Sequence, residues 1–277
     1  MKTRWQVRDF RARRRLLDPD LFLHGSNPPP TDRVDKETWI GIMHLPDHVS
    51  ITTSNHHGTA LKQLYKTWRA WIEAIGQDAD PLFDTILDAC DEYEAAVFNS
   101  LHGYYRTAIG GLRNALELAT IGSYAQVCGK PLEFAEWRVG SEKITFRRAC
   151  DGLASAAAVH TLENHLATNL NDTLFGGKDP GKDGGWARRT YDLLCTYAHS
   201  RPGSTHGDLW RSNGPIYVRE AFLLATDLYL ETSALSFILV KLGRPDFALP
   251  SNACTLFENS DRHWSKIALC AHELLFH

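Results

Sequence analysis

The sequence contains no run of about twenty apolar residues, so no segment reads as a membrane span. Its basic N-terminus is not followed by an apolar stretch, so no secretory signal is expected. The six cysteines (Cys90, Cys128, Cys150, Cys195, Cys254 and Cys270) stand singly. Without a CxxC pair, neither a zinc ribbon nor a thioredoxin-type motif is supported, and the thiols read as reduced core residues. There is no HExxH and no GxSxG, which removes zincin-type proteases and the α/β-hydrolase nucleophile turn. A net charge of −3 provides no global basic field for bulk nucleic-acid binding.

Thirteen histidines are present, but none falls into a recognisable ligand spacing. His44 and His48 straddle Pro46, and His56 and His57 are adjacent. No metal and no cofactor is expected. At 43% hydrophobic and 23% charged residues, the composition is that of an ordinary globular protein, with a cytoplasmic location as the default.

The chain divides near Gly58. Residues 1–57 read as an irregular extension, broken by Pro28-Pro29-Pro30. Within it, Trp39–Met43 and Val49–Thr53 are short β-leaning runs that predict a small hairpin around Pro46-Asp47. The first fifteen residues carry Lys2, Arg4, Arg8, Arg11, Arg13, Arg14 and Arg15 against one acid, Asp9. This arm reads either as a solvated tail or as a phosphate-contacting segment.

Residues 58–277 read as one helical domain, and the whole as an all-α multi-helix bundle with that extension. Apolar spacing predicts helices near 59–75, 80–101, 103–128, 141–151, 153–170, 186–199, 216–242 and 260–275. Asp80-Pro81 and Ser212-Asn213-Gly214-Pro215 are helix-start signals, and Gly243 is a stop. The glycine-rich 176–185 segment predicts a surface loop. It approaches a phosphate-binding loop, but Asp183 stands where Ser or Thr should follow Lys182.

Two segments carry the candidate chemistry. In the 103–128 helix, Tyr105, Ala108, Ile109, Leu112, Leu116 and Ala119 form one apolar face, with Leu118, Ile121 and Ala125 on another side. Arg106, Arg113, Glu117, Thr120 and Tyr124 form a narrow polar stripe beside it. Arg113 and Glu117 are one turn apart and can pair. The stripe reads either as an ion pair closing a helix contact or as the wall of a polar pocket.

The second segment is Tyr191-Asp192-Leu193-Leu194-Cys195-Thr196-Tyr197-Ala198-His199-Ser200-Arg201-Pro202. It ends a helix at His199, because Pro202 disfavours continuation. The helix dipole alone would favour a histidine there. With Tyr197, Arg201 and His206 it also gathers polar groups that, beside Arg113 and Glu117, suit proton transfer and anion binding.

The Leu112-Arg113…Leu116-Glu117 helix and the Tyr191…Leu194…Tyr197…His199 helix end are similar to bacterial all-α proteins of the HEPN group, over roughly residues 80–240. The resemblance implies a defence or toxin-type protein. It further implies a metal-independent ribonuclease that binds RNA and assembles as a homo-oligomer, with His199 as the motif histidine. The motif arginine should precede it with four to six residues between them, where this chain has Asp192, Leu193 and Leu194. An arginine must then come from elsewhere, such as Arg113 or Arg201. His199, Arg201, Arg113 and Glu117 are therefore the expected catalytic set, and Tyr197, Arg106 and His206 the expected binding residues. Other members of the group do not cleave. They bind partner proteins or assemble, and the alternative expectation is such a module, with 216–242 as its interface.

Overall fold

The residues from 105 to 127 combine helix formers with small side chains at Ala108, Gly111, Ala115, Ala119 and Gly122, a composition that lets neighbouring helices approach closely. A computed structural model describes residues 35–75, 81–176, 184–198, 214–258 and 261–276, and places this helix at the centre. The helices are α1 (Lys36–Ala74), α2 (Pro81–Leu101), α3 (Tyr105–Val127), α4 (Pro131–Arg138) and α5 (Phe146–Ala154). They continue with α6 (Ala157–Leu170), α7 (Gly185–Ala198), α8 (Arg219–Gly243), a 3-10 turn at Ser251–Leu256, and α9 (Ser265–Leu275). No strand occurs among the described residues, so the all-α expectation holds for them.

Helix α3 packs against α2 on one side, α8 on another and α7 on a third. Gly122 sets the closest approach to α2: a Cβ there would collide with Thr85 Oγ1. Across the bundle, the indole of Trp71 in α1 lies between Tyr93 of α2 (5.0 Å between ring centres, 6° between planes) and Phe237 of α8 (3.9 Å, 2°). All three are fully buried. The tyrosine hydroxyl is satisfied by Ser236 Oγ at 2.9 Å and the Thr232 carbonyl at 3.2 Å, so no polar atom of that ring is orphaned. Truncating Trp71 would remove the common filling of three helices, and such changes cost about 3–5 kcal/mol.

Helix α8 is long and apolar enough to cross a membrane, yet 83% of its most apolar stretch is buried inside the protein. It is hydrophobic on nearly every side because α2, α3 and α9 surround it.

The hairpin predicted at Trp39–Thr53 is corrected. Those residues are helical, capped by Asp35, whose carboxylate accepts from the Thr38 amide at 2.9 Å. The β-branched residues there mimic strands locally, but Trp39, Ile42, Pro46, Val49 and Thr53 recur at alternating steps of three and four. That spacing makes one helical face, of which Pro46, Val49 and Thr53 are buried. Pro46 is accommodated inside α1. The helix crosses position 58 with a kink at His57 (φ −132°, ψ 30°), whose Nε2 meets the Tyr217 hydroxyl at 3.0 Å. The sequence reading also missed the short helix α4 and the 3-10 turn, both too brief to show a period.

Candidate functional site

The polar stripe of α3 faces α7, and the two helices build one network. Arg113 and Glu117 pair at 3.2 Å. Tyr191 of α7 bridges them: Arg113 Nη2 donates to its hydroxyl, which donates in turn to Glu117 Oε2 at 3.2 Å. The other two guanidinium nitrogens are also engaged, Nε with Cys195 Sγ at 3.3 Å and Nη1 with Asn114 Oδ1 at 3.2 Å. The guanidinium carbon lies 4.9 Å from the centre of the Tyr191 ring, a cation–π distance. Phe146 of α5 stacks on that ring at 3.8 Å, which fixes the tyrosine's orientation.

The electrostatics follow from this arrangement. Partial burial opposes the charge on Arg113, but the Cys195 sulfur and the oxygens of Glu117 and Tyr191 outweigh it and hold its pKa above the ordinary arginine value. Burial, then the neighbouring Glu117 charge, pushes the Tyr191 hydroxyl well above the usual tyrosine range. The phenol therefore stays protonated and acts as a fixed donor to Glu117.

Beside the network lies an open cleft of about 540 Å³ between α2, α3 and the end of α7. Asn99 and Glu92 of α2, Arg106, Arg113 and Asn114 of α3, and Ala198 of α7 line it. Asn114 Nδ2 approaches Glu92 Oε1 at 3.4 Å. Burial raises the pKa of Glu92; the Asn114 hydrogen bond acts against that rise, and Asp91 and Asp88 add to it. Gly111 leaves room for this carboxylate, because a Cβ there would stand 3.1 Å from Glu92 Oε2.

The start of α3 anchors the chain on both sides of residues 199–213. Arg106 Nε donates to the Tyr197 carbonyl at 3.4 Å, on the way out of α7. On the return, the Val218 amide donates to the Tyr105 hydroxyl at 3.3 Å. Gly103 (φ +83°) packs its backbone against Ile216 so closely that a Cβ would clash with Ile216 backbone atoms, at 2.6 Å from its oxygen and 2.8 Å from its nitrogen.

Of the residues expected from sequence, Arg106, Arg113, Glu117 and Tyr197 are thus brought to the α3–α7 contact. Tyr197 is buried and gives its carbonyl, not its hydroxyl, to Arg106. His199, Arg201 and His206 lie outside the described residues. The structure adds Tyr191, Cys195, Asn114 and Glu92. Tyr191 and Cys195 are one turn apart, so the 3.6-residue period already placed them together, but which face of α7 meets Arg113 is a tertiary fact. Thr120, on the same stripe by sequence, is fully buried and donates to the Leu116 carbonyl at 2.7 Å, an ordinary intrahelical bond.

Among the described residues, no group of three or more His, Cys, Asp and Glu side chains is placed to hold a metal ion. No protein-family model matches the chain, and no curated protein or solved structure shows significant similarity to it.

Proposed function

We propose that the chain is a HEPN-like defence or toxin-type protein that binds RNA at the cleft between α2, α3 and α7 and cleaves it without a metal. The observation that supports this reading is the anchoring of the chain on either side of residues 199–213. Tyr197 is tied to Arg106, and Ile216 and Val218 to Gly103 and Tyr105, all at the start of α3. Ala198, the last described residue before the segment that carries His199, Arg201 and His206, lines a cleft that also holds two arginines.

In the proposed reaction His199 takes the proton of a ribose 2′-hydroxyl. The 2′-oxygen attacks phosphorus, and the bond from phosphorus to the 5′-oxygen breaks. The products are a 2′,3′-cyclic phosphate and a 5′-hydroxyl, which regains a proton. Arginine charge stabilises the extra negative charge on the phosphoryl oxygens. Glu92 opposes phosphate when ionised, and its raised pKa reduces that opposition as pH falls.

The decisive experiment is incubation of labelled RNA with wild-type protein and His199→Ala, each with and without EDTA. Cleavage that persists in EDTA and disappears in the variant is the expected result. Cleavage abolished by EDTA, or equal in both proteins, overturns the proposal.

A second reading, a non-catalytic binding or assembly module, draws on a different observation. Every nitrogen of Arg113 already has a partner within the protein, as in a purely structural ion pair. Absence of cleavage together with retained RNA retardation, or with self-association in light scattering, would favour that module.

A further inference from the structure

A second cluster of ionisable groups lies away from the cleft, where the turn before α9 meets α8. Glu231 of α8 is a carboxylate with 3% exposure. Its Oε1 accepts from two donors of α7, Trp186 Nε1 at 2.8 Å and Thr190 Oγ1 at 3.0 Å. Its buried Oε2 has no aligned hydrogen bond and faces Nε2 of His263 at 3.5 Å, an ion contact. The other ring nitrogen of His263, Nδ1, lies 3.9 Å from Asp227 Oδ2, one turn earlier on α8. Asp227 Oδ1 in turn accepts from Arg262 Nη1, and from Trp264 Nε1 at 3.3 Å.

One imidazole therefore has a carboxylate oxygen opposite each nitrogen. A neutral ring carries a single N–H, so it would turn a lone pair toward one of those oxygens. Only the imidazolium presents an N–H toward the carboxylate on each side. The ring itself is mostly exposed, so protons reach it from solvent. Burying a carboxylate with only neutral donors is unfavourable, which gives Glu231 a reason to hold a cation.

We propose that His263 is a proton-operated latch that fastens the turn 261–264, and with it the start of α9, to α7 and α8 through Asp227 and Glu231. The charged groups around the ring are Glu231 and Asp227 from α8, Arg189 from α7, and its chain neighbours Asp261 and Arg262. Arg189 is itself held by Asp172 at 2.7 and 3.0 Å. The contact with Glu231 raises the His263 pKa; partial burial and Arg189 act against it, and the Glu231 and Asp227 charges add to it. A raised folded-state value sets the sign. The latch contributes its full stability below the unfolded-state value of about 6.5, and loses it as pH rises through the higher folded-state value. The inference is independent of RNA binding or cleavage.

The test compares full-length wild-type protein with His263→Gln and His263→Arg by thermal unfolding between pH 5.5 and 8.5. Wild type is expected to melt about 1–2 °C above the Gln variant at the acidic end, a small shift because the ring is mostly exposed and solvent screens the contact. The gap should close at the alkaline end. The permanently charged Arg variant should show no such alkaline loss. The His263 ring proton resonance, assigned by its disappearance in either variant, should titrate in wild type with a midpoint above about 6.5. A gap that stays constant with pH, or a midpoint at or below that value, overturns the latch. The wild-type titration decides the question even if a variant folds poorly.

Discussion

Glu117 and Glu231 both tie a helix to α7, yet they do so in opposite chemical settings. Glu117 is about a quarter exposed, and its charge is met by the full charge of Arg113. Glu231 is almost wholly buried, and its firmest partners are neutral, the indole N–H of Trp186 and the hydroxyl of Thr190. Exposure makes the first pair cheap to keep and cheap to lose, because water screens both charges and solvates whichever survives a substitution. Burial makes the second arrangement costly to disturb, because any partner removed leaves others unsatisfied. The same α7 thus has a sealed attachment on the face of Trp186 and Thr190, and a partly solvated one on the face of Tyr191 and Cys195. The partly solvated one holds Arg113, which also lines the cleft.

The largest effect should come from breaking the buried side. Glu231→Ala removes the acceptor of Trp186 and Thr190 and the anion facing His263, all at once. Chemical denaturation should show a loss of about 3–5 kcal/mol. Glu231→Gln keeps an acceptor of the same shape but no charge, so it should lose less and should also abolish the pH-dependent part of stability assigned to His263. A Gln variant that keeps the wild-type pH dependence would detach Glu231 from the latch and make the two carboxylates less different than their burial suggests.

An intermediate effect is expected where the two settings meet in one side chain. Tyr191→Phe keeps the stack on Phe146 and deletes only the hydroxyl that joins Arg113 to Glu117. The loss should be about 1 kcal/mol in denaturation, the usual worth of one such hydrogen bond. If the cleft binds RNA as proposed, Arg113 then gains freedom to turn toward phosphate. Retardation assays should find RNA affinity unchanged or raised, whereas Arg113→Gln should lower it.

How much of this was legible in sequence follows the same division. The Arg113–Glu117 pair lies one turn apart on a single helix, so periodicity alone exposed it. The helices of the core were visible for the same reason, with Leu and Ala recurring at steps of three and four. Glu231 was invisible as a site because it sits in the apolar α8, and its partners come from positions 45, 41 and 32 residues away in the chain. No local pattern encodes such a meeting. The Trp39–Thr53 segment failed differently. There the β-branched residues gave a short-range strand signal, and the longer helical period, supported by burial of Pro46, Val49 and Thr53, prevailed.

The smallest expected effect is also the sharpest discriminator between the two carboxylates. A double-mutant cycle on Arg113→Gln and Glu117→Gln should give a coupling below about 1 kcal/mol, because both side chains are partly solvated. That coupling should shrink further between about 0.05 and 1 M salt, as the screening length drops to a few ångströms. The corresponding cycle on Thr190→Val and Glu231→Gln should be insensitive to salt, since the hydroxyl carries no net charge and the pair is sealed from solvent. Equal salt sensitivity in the two cycles would mean that water reaches Glu231 as readily as Glu117, and the contrast between a sealed and a solvated attachment of α7 would collapse. Insensitivity in both would place Arg113 in a drier setting than its exposure indicates. In that setting it would be a structural fastener, and Arg106 would be left as the cleft arginine to test against RNA.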